Sequence, residues 1–328
     1  MTVDQANKMI ALENIIKSHG EGKHHVWIPA PTIKELCQVD GFCYFARRTL
    51  DAMLSQVSEG AYLHKEFDFY AVVNFVDKHA LSHVNGVLDI GYAHFLNTTT
   101  TQESILLAEN ELDGEAYYWG AKTYLQLKRI SGAKVNLEIV HGGGNTTYNC
   151  FVRLDRRSRF FASIVDSDRE HPKGCLGATA ARFKNTKVGY DRKRYFEILS
   201  CHEIENIIPL KVLASINEVK LNESLVHKPD NIDFRVYPDH KTGLSLKEAK
   251  KADMLHKDEY WKKFDDLDPD TLLCSDFGEN LLRDCVDYVC TLSPKKSREH
   301  IDEKSDKEWL RICKVIASWG VSSRGLLS

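Results

Sequence analysis

Apolar residues recur at helical spacing in the first hundred positions. Met9, Ile10, Leu12, Ile15 and Ile16 form one stripe, and the stretch from Phe45 to Val57 forms another with Leu50, Met53 and Leu54. The pattern predicts a mainly helical region over 1–102, closed by the polar tetrathreonine at 98–101, which reads as a weakly structured connector. From Ser104 short apolar runs alternate with helical segments. Ile105 to Ala108, Val135 to Val140, Phe160 to Val165 and Tyr195 to Leu199 read as strands, with helices over Gly114 to Leu127 and Thr147 to Arg157. Strand and helix in alternation specify an α/β unit with a mainly parallel sheet over 103–215. Residues 216–328 return to polar helices and loops, so mainly helical N- and C-terminal regions flank the α/β unit along the chain.

Open parallel sheets bind ligands at the carboxyl ends of their strands, and acidic residues lie there. Glu109 follows the first strand, and Asp113 comes one helical turn later. Asp166 and Asp168 follow the third strand, and alternation along an extended segment would send both to one side. Carboxylates gathered at one edge repel one another unless a cation sits between them. Hard oxygen ligands select magnesium or manganese.

The segment ILLAENELDGEAYYW (105–119) followed by IVDSDRE (164–170) resembles the paired motifs of the Toprim superfamily of primases, topoisomerases and OLD-type nucleases. The first motif, a strand followed by EGxxD or a variant, corresponds to Glu109 through Asp113, with Asn110 where the family commonly carries glycine. The strand-DxD motif corresponds to Asp166 and Asp168. The resemblance implies a Rossmann-like Toprim domain whose metal ligands are Glu109, Asp113, Asp166 and Asp168. It also implies a glycine-bearing turn beside the metal, matched by the run Gly142, Gly143, Gly144, whose freed amides can contact a phosphate. A further acidic residue after the fourth strand adds to the site in OLD-type and defence-associated members. Glu205 is the choice here, and Glu203 the alternative.

Charge adds a substrate surface. The whole chain carries a formal net charge of -3, which gives no overall attraction to a polyanion. Residues 151–194, however, hold twelve basic and five acidic side chains, a local net of +7 around the DxD. This favours contact with a phosphate backbone, with Arg182 and Lys184 the first residues to test. Residues 257–284 carry nine acidic against four basic side chains and read as a solvated acidic surface. Nine cysteines without tight CxxC pairing read as buried free thiols. His24, His25 and His141 read as structural. The polar amphipathic start and the lack of a membrane-length apolar run give the expectation of a cytoplasmic protein.

The leading expectation is a magnesium-dependent endonuclease acting on DNA or RNA. Asp166 and Asp168 hold the ion, Glu109 is a further ligand or general acid/base, Asp113 supports it, and Glu205 completes the catalytic set. No GxxxxGK[ST] loop occurs. By resemblance, such a nuclease is the effector of an antiviral defence system and works with an ATPase partner; a homo-oligomer is left open. The rival readings are a DxD glycosyl- or nucleotidyl-transferase, in which Glu109 has no role, and a non-catalytic nucleic-acid-binding module.

Overall fold

Continuous apolar runs form strands when both faces of a sheet are covered, and two such runs make the centre of this molecule. In the computed structural model, which describes residues 2–326, Ser104–Ala108 and Phe161–Val165 are buried at every position. They lie side by side in a five-stranded sheet with the order Leu137–His141, Ser104–Ala108, Phe161–Val165, Arg194–Ile198, Gly189–Asp191. The first four are parallel and the edge strand Gly189–Asp191 is antiparallel.

The two-residue period of the strands separates two cores. Ile105, Leu107, Phe161 and Phe196 meet Phe151, Leu154 and Phe183 on one face, where Phe183 and Phe196 stack at 4.6 Å. Leu106, Ala162, Ile164 and Tyr195 face the other way, toward Tyr117 and Tyr124 of helix Glu111–Leu127 and Trp309, Ile312 and Ile316 of helix Lys307–Gly320. Full burial of such side chains contributes roughly 1.5–3 kcal/mol each. The same core continues to Ala11 and Ile15 near one end and Trp319 near the other, so all three sequence regions share it.

The α/β centre and the helical flanks match the expectation in outline, and several details differ. The first region has helices Val3–Gly20, Ala30–Leu36, Tyr44–Gly60 and Leu63–Glu66. It also has a three-stranded sheet ordered Tyr70–Asn74, Val87–Gly91, Leu81–Val84. Its outer strands are mostly exposed and show no clean alternation, so the apolar pattern does not reveal them. Thr98–Thr101 is no loose connector. It is a 3-10 turn capped by Asn97, whose Oδ1 accepts the Thr99 amide at 2.9 Å, and Thr100 and Thr101 are buried.

The run expected as one strand from Val135 is two, Ala133–Val135 and Leu137–His141. Asn136 divides them: its amide donates to Gly320 and its side chain to the carbonyl of Gly22. The first piece pairs antiparallel with Val321–Ser323 rather than joining the main sheet. Beyond 215, helices Leu210–Glu223, Leu246–His256, Leu281–Cys290, Pro294–Glu299 and Lys307–Gly320 dominate. The short strands Leu244–Ser245 and Leu272–Cys274 pair among them.

Candidate functional site

The carboxyl ends of the central strands carry the acidic residues. Glu109 is the residue after Ser104–Ala108, and its Oε1 accepts the Asp166 backbone amide at 3.0 Å, joining the ends of two neighbouring strands. Thr179 also hydrogen-bonds the Glu109 carboxylate. Burial first, and then the charge of Asp168, push the Glu109 carboxyl up to about 7.

Helix Glu111–Leu127 starts three residues earlier than Gly114 because Asn110 caps it. Asn110 Oδ1 accepts the Asp113 amide at 3.0 Å, and Asp113 Oδ2 accepts the Asn110 amide at 3.1 Å. Such a cap stabilises a helix by about 1 kcal/mol. Asp113 therefore commits one oxygen to the helix start while its buried carboxyl is pushed up to about 6, mainly by desolvation.

The chain does not continue extended through the DxD, which corrects the alternation argument. After Val165 it turns: the amides of Ser167 and Asp168 both donate to the His202 carbonyl, at 3.1 and 2.9 Å, and Asp168 has φ +52°. What brings the carboxylates together is this turn and the neighbouring elements. Burial raises Asp166 well above the usual carboxylate range, and the charges of Asp113, Glu205, Glu109 and Glu203 add to it. Asp168 is raised by burial and by Glu203. A Cβ at Gly177 would lie 1.9 Å from Asp168 Oδ2, so only glycine leaves room for this carboxylate.

Glu203 and Glu205 both belong to the cluster, linked by a residue the sequence did not mark. Lys241 Nζ lies 2.5 Å from Glu203 Oε2 and 3.2 Å from Glu205 Oε1. Burial pulls the Lys241 ammonium down, but Glu205 and Glu203 outweigh it and raise it overall. Glu205 is nevertheless pushed up to about 7, because its burial outweighs the lysine. Next to this lysine, donor atoms of His202, Glu203 and Asp239 lie within 4.8 Å of one another. Hydrogen bonds from Lys241 and Thr242 hold Asp239 below its ordinary value, although burial opposes them. Lys241, Asp239, Thr179 and Gly177 carry no motif and become visible only through the fold.

The glycine run sits beside Glu109, but its amides face inward. Gly143, with φ +72°, and Gly144 donate to the Glu109 carbonyl at 3.0 and 3.4 Å. The expectation that these amides stand free for a phosphate is therefore corrected: the run fixes the backbone of Glu109 instead. Arg182 follows the short helix Ala178–Ala181, which also carries Thr179. Its guanidinium donates to the Asn145 carbonyl and to Asn149 Oδ1, and lies 5.3 Å over the Tyr148 ring. Lys184 is exposed.

The nine cysteines are free, yet Cys43, Cys175 and Cys290 are exposed, which corrects the expectation that all are buried. His24 and His25 serve structure, His24 Nε2 lying 2.7 Å from the Gln102 carbonyl oxygen and burial pulling His25 down to about 4. Among the described residues no helix is long and apolar enough to cross a membrane.

Chemically, the crevice is a set of hard oxygen donors with Lys241 as the ammonium paired to it. Burial and mutual repulsion hold the carboxyls of Glu109 and Asp166 above their ordinary range, and among the described residues the donors of the crevice that lie within reach of one ion are those of His202, Glu203 and Asp239. Comparison with family models, with curated proteins and with solved structures gives no match to this chain.

Proposed function

We propose that the chain is a metal-dependent nuclease of Toprim type, hydrolysing phosphodiester bonds of DNA or RNA. One observation supports the reading: Glu109, Asp113, Asp166 and Asp168 lie near the carboxyl edge of a parallel sheet, close enough for their charges to raise one another, with Glu109 bonded to the Asp166 amide at 3.0 Å.

Asp166, Asp168 and Glu109 would hold magnesium or manganese. When bound, the ion supplies neutralisation of charge developing on the phosphate and a more acidic water. Thr179 and the Asp166 amide orient Glu109, while Asn110 fixes Asp113 behind it. Lys241 holds Glu203 and Glu205 and limits the repulsion in the crevice. Arg182 and Lys184 contact the phosphate backbone of the substrate. A role as antiviral effector with a separate ATPase partner rests on the likeness of 105–119 and 164–170 to defence-associated Toprim nucleases. It predicts co-purification with such a partner.

The test of the catalytic reading is incubation of the wild type and Asp166→Asn with magnesium and a mixture of plasmid, single-stranded DNA and total RNA. Metal-dependent cleavage by the wild type is expected, falling by about 10²–10⁴ in the variant. The absence of any metal-dependent difference on every substrate overturns it.

A further inference from the structure

A second group of donors lies in the later part of the chain, one residue away from Lys241, and its chemistry differs from that of the crevice. His227 ends the 3-10 turn Leu225–His227, His240 lies in the loop before Lys241, and Cys274 ends strand Leu272–Cys274. Three separate segments thus contribute one side chain each. Their exposures are 6%, 1% and 0%, and their ligand-capable atoms all lie within 4.8 Å of one another.

The hydrogen bonds around the group aim its nitrogens. Asn206 Nδ2 approaches the carbonyls of Arg235 and Pro238 at 2.7 and 2.8 Å, which takes both of its protons. His240 Nδ1 lies 3.1 Å from the Pro238 carbonyl, an acceptor only, so Nδ1 carries the imidazole proton. The lone pair of His240 is then on Nε2. That atom faces Nε2 of His227 at 2.9 Å. A carbonyl holding the far nitrogen is the support that metal-ligating histidines generally have. Without an ion, Nε2–H of His227 donates to that lone pair, while Nδ1 of His227 is buried without a hydrogen-bond partner among the described residues; an ion bound at Nε2 therefore leaves the imidazole proton on Nδ1.

We propose that His227, His240 and Cys274 bind a transition-metal ion of the zinc class. Two imidazole nitrogens and one sulfur are borderline-to-soft donors, which favour zinc over magnesium. Cys274 ligates as thiolate, its proton passing to solvent as the sulfur–metal bond forms. Three protein donors leave the fourth tetrahedral position to water. The ion ties the turn, the loop and the strand together, and through the loop it fixes Lys241 against Glu203 and Glu205. This inference does not depend on the nuclease reading.

The experiment uses the full chain, dialysed against a mild chelator, with metal content measured by elemental analysis. Retention of about one zinc per chain is expected. Cobalt exchanged into the site should give tetrahedral ligand-field bands and a thiolate-to-cobalt charge-transfer band. That band should disappear in Cys274→Ser and persist in Cys43→Ser and in Asp166→Asn. A folded wild type that retains neither zinc nor cobalt overturns the proposal, as does cobalt bound without a thiolate band. Since the wild-type spectrum alone decides these outcomes, failure of a variant to fold does not rescue the idea.

Discussion

Charge is treated in opposite ways in two neighbouring parts of the molecule. In the crevice, Glu109, Asp113, Asp166 and Asp168 lie near Glu203 and Glu205, and among the described residues Lys241 forms ion pairs with the last two. Segment 151–194 has the opposite excess, but folding already occupies much of it. Arg194 pairs with Asp155 and Asp191, each at 3.0 Å, Arg159 with Glu138, Lys187 with Asp191 and Lys173 with Asp258. Lys193 donates to the Arg157 carbonyl. A local net charge therefore overstates the surface offered to a polyanion, whereas the acidic count understates how strongly burial and mutual repulsion act on the carboxyls of the crevice. The difference lies in partners rather than in composition.

The sharpest break of this comparison is a pH series without divalent ions. A carboxyl raised from 4.5 to about 7 on folding binds more protons in the folded state, so its contribution falls as pH rises through that window. The buried imidazoles of His19, His227 and His240 and the half-buried ones of His25 and His94 are pulled down by desolvation and act in the opposite sense. The quantity to read is therefore the stability of Glu109→Gln minus that of the wild type, by chemical denaturation in EDTA. It should open from near zero at low pH to about 3 kcal/mol above neutrality. A gap that stays flat removes the claim of uncompensated charge.

Next in size is Lys241→Met, which leaves Glu203 and Glu205 without their ammonium. Losing one partner of a fully buried pair costs about 3–5 kcal/mol, and the partial exposure of Lys241 reduces this to about 2 kcal/mol. Denaturation in metal-free buffer near pH 7 measures it, and an unchanged midpoint would count against the pairing. The smallest effect concerns the basic side. Arg182→Ala combined with Lys184→Ala should lower the slope of log K against log salt for nucleic-acid binding by roughly 0.7–0.9 per contact. Arg194→Ala should lower stability and leave that slope alone. Equal slopes for the two variants would erase the distinction between cations neutralised by carboxylates, as Arg194 is, and cations held only by uncharged partners or exposed, as Arg182 and Lys184 are.

The centre of the fold was legible because strands covered on both faces leave continuous apolar runs, as at Ile105 to Ala108 and Phe160 to Val165. Glu109 and Asp166 stand out for the same reason, since each directly follows such a run. The exposed strands Tyr70–Asn74 and Leu81–Val84 leave no such trace. Asn136 splits a seemingly uniform strand through bonds to Gly22 and Gly320, both remote in sequence. Lys241 could not be placed because its partners are more than thirty-five residues away and no local spacing encodes them. The glycine run was found but its role was inverted, because which way an amide points is set by the strand end it rests on.

The core running from Ala11 to Trp319 also fixes what can be transplanted. Residues 103–215 contain the acidic crevice except for Asp239 and Lys241, so they look like a portable cassette. Cut out, they would uncover the face of helix Glu111–Leu127 that holds Tyr117 and Tyr124, and Gly120 would lose the cover of Trp309 and Cys313. A fragment with that greasy flank would clump rather than work. Recombination within this chain thus has few safe crossing points, and swapping experiments should exchange residues 11–319 as one piece.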